Sequence, residues 1–113
     1  MAFRKPDTLL PLEQQILDVV LASGADGVHG FALAQQIADA EQARRILSHG
    51  TLYKALDRLH RRGLVAAAWE DEAAATAAGR PPRRLYSATA TTERVLAAAR
   101  ASSRAARLGE APA

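Results

Sequence analysis

The 113-residue chain predicts a mainly α fold that carries one small β-hairpin. Three observations lead there. Apolar residues recur at the helical period in successive stretches between residues 11 and 62. After Gly63 the period changes to two short runs of strand-forming residues, and from about Thr91 the helical pattern returns. The length allows one domain with one modest core.

The first helix is "LPLEQQILDVVLAS", in which Leu12, Ile16, Val19 and Val20 share a face that Leu17 and Leu21 widen; Pro11 suits the opening position, so the helix spans about Pro11 to Ser23. A helix apolar on more than one side touches more than one neighbour. "GADGVHG" at 24–30 is a glycine-rich turn. "FALAQQIADA" makes the second helix through Phe31, Leu33, Ala34 and Ile37, with His29 capping or packing its start. Residues 41–47, "EQARRIL", form a connection or a ragged helix end.

The third helix lies in "SHGTLYKALDRLHRRGLV" at 48–65. Ser48 is its N-cap, and Leu52, Leu56 and Leu59 follow i, i+4, i+7 as one apolar seam. Lys54, Arg58 and Arg61 fall opposite that seam, with Thr51 and Tyr53 on the flanks. Gly63 supplies a left-handed stop, and Leu64 folds back over the last turn.

Beyond the stop, "LVAAAWE" and "RRLYSAT" read as a two-stranded hairpin joined by a long loop. Within that loop "AAATAA" at 73–78 is low in complexity and reads as mobile. Trp69, the single tryptophan, reads as a packing residue more readily than as an effector platform. The stretch "TTERVLAAARASSRAARL" returns to helix with Val95 and Leu96 as its anchors, and "GEAPA" reads as a disordered tail. Helix, helix, helix, hairpin, helix is the order of a helix-turn-helix with a β-wing.

Composition removes several function classes. The absence of cysteine excludes disulfides, thiolate metal sites and thiol nucleophiles, and it fits a reducing cytoplasm. No apolar run approaches the roughly 20 residues of a membrane span, and the N-terminal stretch lacks the apolar segment of a signal peptide. The three histidines fall in different segments. His60 with Asp57 is a two-ligand fragment, and no glycine-rich loop opens a helix with a phosphate-binding lysine. An enzyme, a metal site and a cofactor are therefore not expected.

The formal net charge is only +3, so its distribution carries the information. Lys54, Arg58, Arg61 and Arg62 stand against one acid, Asp57, and "GRPPRR" at 79–84 adds Arg80, Arg83 and Arg84 with none. The acids of "WEDE" at 69–72 separate the two clusters. A helix of this kind fits the roughly 12 Å major groove of B-DNA with Ser48, His49, Gly50, Thr51 and Tyr53 toward base edges, Gly50 permitting close approach. Lys54 and Arg58 suit phosphates or a guanine edge, and Arg80, Arg83 and Arg84 the flanking backbone or minor groove. Arg61 and Arg62, beside Gly63, complement the helix dipole.

"GTLYKALDRLHRRGLV" followed by "GRPPRRLYSAT", with "HGFALAQQI" at 29–37 before them, resembles the PadR family of bacterial transcriptional regulators over about residues 12–96. The resemblance implies a winged helix-turn-helix dimer that binds operator DNA and represses until a small-molecule effector releases it. It also implies that the third helix is the recognition helix and "GRPPRR" the wing tip. Leu85, Ala88 and Thr92 depart from the family pattern, where an aromatic, a leucine and a glycine are usual. With a single C-terminal helix the chain resembles the short-tailed branch of the family.

The expected organisation is a winged helix-turn-helix DNA-binding domain at 1–90, a C-terminal dimerisation helix at 91–108 and a tail at 109–113. The first and last helices show more apolar surface than one small domain covers, so Ile16, Val20, Val95, Leu96, Ala99 and Leu108 are expected in a homodimer contact. Such a dimer would present two recognition helices to a pseudo-palindromic operator on double-stranded DNA. The competing expectation is a winged helix that contacts protein or RNA and has no operator specificity.

Overall fold

The computed structural model describes residues 9–40 and 48–107. The readings placed on 41–47, on Leu108 and on the 109–113 tail lie outside the described residues. The elements run α1 (Pro11–Ala22), a short 3-10 turn (Gly24–Asp26), β1 (Val28–His29), α2 (Gly30–Ala40), α3 (His49–Arg61), β2 (Val65–Trp69), α4 (Glu72–Ala77), β3 (Arg84–Ala88) and α5 (Thr92–Arg107).

Helix α1 begins at Pro11, whose missing N–H is no loss in the first turn. Glu13 folds back so that its Oε1 accepts the Leu10 N–H at 2.8 Å. Ile16, Leu17 and Val20 are fully buried, and α1 packs against α2, α3, β3 and α5, the several neighbours its wide apolar face implies. Helix α3 lays Leu52, Leu56 and Leu59 into the same core. Burying each such side chain contributes about 1.5–3 kcal/mol. Its ends are closed as the sequence indicates. Ser48 Oγ accepts the Thr51 N–H at 3.1 Å; Gly63, at φ 74°, donates to His60 O at 3.0 Å, and Leu64 donates to Leu59 O at 2.9 Å. Those two bonds are the Schellman pair that satisfies the last carbonyls of a helix.

The sheet differs from the expected hairpin by one strand. β2 and β3 pair antiparallel with Trp69 opposite Arg84, Ala67 opposite Tyr86 and Val65 opposite Ala88. The two residues of β1 add to the far edge of β3, giving the order β1-β3-β2. So short a strand exists through its pairing, which no local pattern announces.

Of the 73–78 segment, 73–77 lie in helix α4 and Ala78 is its C-cap, so it is not a mobile loop. Asp71 caps α4 by accepting the Ala74 N–H at 3.1 Å. At the other end Gly79, φ 74°, donates to Thr76 O at 2.9 Å and Arg80 to Ala75 O at 3.1 Å, which repeats the closure of α3. Ala75 is fully buried. Helix α5 is fixed at its start by Thr92, whose Oγ1 donates to Leu64 O at 2.7 Å and accepts the Thr89 N–H at 2.8 Å. The hydroxyl bolts α5 to the chain just after α3, which explains a threonine where the family pattern has glycine.

Two other expectations are corrected by burial. Trp69 is 69% exposed and does not serve as a packing residue, because it stands past the end of the core face of β2. Ile16, Val20, Val95, Leu96 and Ala99 are each at most 5% exposed inside one chain. The core of a single chain already covers them, so those five side chains offer no free surface to a second copy.

Candidate nucleic-acid interface

The exposed side of α3 divides at its middle. Toward the N-terminus Ser48, Gly50, Thr51, Tyr53 and Lys54 are exposed. Ser48 Oγ donates to Thr51 Oγ1 at 2.8 Å, so the two hydroxyls are held as a pair. Nothing lies within 4 Å of a Cβ built on Gly50, which leaves the first turn open to close approach from outside. His49 opens the helix, and its side chain is outside the described set. No described residue forms an ion pair with Lys54.

Toward the C-terminus the arginines are occupied. Arg58 Nε lies 3.2 Å from Oε2 of the fully buried Glu13, and an Arg62 nitrogen lies 3.9 Å from the other oxygen. Arg61 pairs with Asp57 at 3.1 Å. Arg58, expected at the phosphates, therefore ties α3 to α1 across 45 positions of sequence. The reason is electrostatic: a carboxylate buried without a cationic partner would be far more costly than an exposed arginine left in water.

The wing shows the same division. Glu70 takes a two-pronged contact from Arg80, one arm of which is Nη2 to Oε2 at 2.8 Å, and also accepts the Arg83 N–H at 3.3 Å. These bonds, that from Arg80 foremost, hold the Glu70 carboxyl down at about 2. Arg80, expected on DNA, is thus engaged by the wing itself. Arg83 is intermediate: one of its terminal nitrogens lies 3.9 Å from Glu70 Oε2 and its Nε is buried with no hydrogen-bond partner among the described residues, while its side chain is 39% exposed. Arg84 is exposed, and no described residue forms an ion pair with it.

Arg83 and Arg84 meet α3 across a cavity of about 260 Å³ lined also by His29, Gly30, Phe31, Tyr53 and Tyr86. Gly30 is what lets Tyr53 reach this place, since a Cβ there would overlap the phenol oxygen. The start of α2 is capped from the same side by His29, whose Nδ1 accepts the Ala32 N–H at 3.4 Å. Burial, followed by Arg83 and Arg80, lowers the pKa of His29. Phe31, 64% exposed, stands at the rim.

The structure keeps Ser48, Gly50, Thr51, Tyr53 and Lys54 exposed on α3, and Tyr53 meets Arg83 and Arg84 of the wing. It sets apart Arg58 and Arg80, which sequence reasoning had grouped with them, and sequence reasoning missed Gly30, Phe31, Glu13 and Glu70. Only the glycine before an aromatic helix start was a visible signal. Among the described residues no group of three or more His, Cys, Asp or Glu gathers, and no helix is long and apolar enough to cross a membrane.

Three helices with the third presented at the surface, followed by a β-wing that flanks it, define a winged helix-turn-helix protein. Residues 16–98 match the PadR-like family of transcriptional regulators, and the chain belongs to that family. Among solved structures, a PadR-like transcription factor from Bacteroides fragilis is 27% identical, with a TM-score of 0.65 over 88% of this chain and 84% of that one. A PadR family regulator from Eggerthella lenta is 26% identical, with a TM-score of 0.64 over 87% and 80%. The Bacillus subtilis PadR in complex with operator DNA shares the fold at 14% identity and a TM-score of 0.58, over 76% of this chain and 44% of that one. A search of curated proteins returned no match.

Proposed function

We propose that the protein acts in the cytoplasm as a sequence-specific DNA-binding repressor, a two-fold homodimer on a pseudo-palindromic operator from which a small-molecule effector releases it. One observation carries the reading. Tyr53, one turn into the exposed first half of α3, and the exposed Arg84 of the wing border the same cavity, so a groove-reading helix and a backbone-gripping arm face one ligand. The Bacillus subtilis protein of this fold is bound to operator DNA, which supports the same partner here. Repression and effector release rest on the family resemblance.

Ser48, His49, Gly50, Thr51, Tyr53 and Lys54 then form the groove side, and Arg83 and Arg84 grip the flanking strand. Arg58 and Arg80 support these groups from behind. The dimer needs a contact other than the five buried side chains. Residues 101–104 of α5 are all exposed, which is a full turn of helix without cover from its own chain. Beside it a groove of about 590 Å³ between α1 and α5, lined by Leu21, Ala97, Arg100 and Arg104, offers the surface for a second copy.

Fluorescence anisotropy with labelled DNA from upstream of the coding region tests the reading. Affinity should fall steeply with salt. Replacing Arg83 and Arg84 by alanine should weaken all sequences alike and flatten the salt dependence, whereas Thr51→Ala or Tyr53→Phe should change sequence preference. Affinity for RNA or a protein without salt-dependent DNA binding would defeat it.

A further inference from the structure

Trp69 has no structural employment in its own chain. It is the single tryptophan, it ends β2, and it is 69% exposed. Strand alternation puts Val65, Ala67 and Trp69 on one face, and the pairing register puts Ala88, Tyr86 and Arg84 opposite them on that same face. Val65 and Tyr86 are buried in the core, and Ala67 packs against it. Trp69 and Arg84 are therefore the next rung of a ladder whose inner rungs touch the core and whose outer rung stands in water.

That outer rung is turned toward α3. Arg84 and Tyr86 line the cavity that Tyr53 of α3 also lines, so the strand face bearing Trp69 borders the side of the molecule on which the start of α3 is exposed. Charge on this side is complementary to a polyanion. Arg84 and Lys54 are exposed, and Arg83 is partly so. The nearest acid in sequence, Glu70, is held by Arg80 and Arg83, and Asp71 caps α4. An exposed indole beside Arg84, with which no described residue forms an ion pair, fits a partner that offers apolar sugar edges and phosphate oxygens together.

We propose that Trp69 is a DNA-contacting residue of the wing, its ring lying against deoxyribose at the edge of the groove next to the one α3 occupies, with Arg84 on the adjoining phosphate. The inference rests on the DNA-binding reading above and adds to it a non-ionic anchor. Ionic and non-ionic contacts differ in salt dependence, because only the former displaces condensed counterions. The loss of Trp69 should therefore lower affinity at every salt concentration and leave the slope alone.

The single tryptophan reports on itself. Indole emission of the unmodified protein and anisotropy of a labelled mixed-sequence duplex are followed in one titration at low salt. The expected result is a rise in anisotropy with matching quenching and blue shift of the emission. Trp69→Ala should weaken binding about tenfold, the scale of an interface aromatic removed, with unchanged salt slope, and Trp69→Phe should restore most of it. A rise in anisotropy with unchanged emission would overturn the role of Trp69 and leave the DNA-binding reading standing. No rise in anisotropy would overturn both. Circular dichroism of the variants separates lost contact from lost fold.

Discussion

Both halves of α3 carry basic side chains, Lys54 in the first and Arg58, Arg61 and Arg62 in and just after the second, and they are put to opposite use. In the C-terminal half Arg58, Arg61 and Arg62 each lie within 4 Å of a carboxylate, two of them of the same buried Glu13. In the N-terminal half Lys54 faces outward beside Thr51 and Tyr53, with no carboxylate of the described chain against it. A basic side chain is most available to a binding surface where the fold has not already supplied its counter-charge. The wing repeats the lesson within four residues, since Arg80 is held by Glu70 and Arg84 is exposed.

The largest effect is expected on the structural side of this divide. Glu13→Ala removes the partner of Arg58 and Arg62 and the acceptor of the Leu10 N–H in one change. Stability should drop by about 2–3 kcal/mol, below the usual range for a broken buried pair because the Arg58 side chain is 43% exposed. Urea unfolding measures this, and a midpoint within error of the parent would show that the pair does not bind α3 to α1.

The next effect compares the halves directly on DNA. Lys54→Ala and Arg84→Ala should each lower the slope of log affinity against log salt by about 0.9. Arg58→Met should leave that slope unchanged while destabilising the fold. Equal slopes lost at Arg58 and Lys54 would erase the distinction between the two halves.

The smallest effect concerns the wing. Glu70 has a folded-state value of about 2 against an ordinary 4.5, so its contribution to stability is present above about pH 4.5 and is lost as pH falls from there toward 2. The difference in stability between the parent and Glu70→Gln should shrink over that window. A difference independent of pH would remove the ion pair from the wing's account.

What could be read from the sequence follows from how local each cause is. The cap at Ser48, the seam of Leu52, Leu56 and Leu59 and the stop at Gly63 lie within one helix, and all were legible. Helix α4 had local signals too, an Asp71 cap and Gly79 closure around strong helix formers, but its alanines resemble low complexity. β1 was hidden because its two residues are a strand only beside Tyr86 and Leu85. Of the candidate interface, the α3 start and Arg83 and Arg84 were visible as residue types. The capture of Arg58 by Glu13 was not, since the partners are 45 positions apart, and the exposure of Trp69 depends on where the core ends beneath β2.

The folded helix inside the wing has a consequence for the thermodynamics of binding. Residues 70–83 would, as an open loop, settle on DNA only by surrendering backbone freedom, at about 1–2 kcal/mol for each residue fixed. Here Asp71, Gly79 and the Glu70–Arg80 contact have already fixed the segment during folding. The wing meets its target with its shape decided, so the entropy of ordering it weighs on the stability of the free protein and not on its affinity.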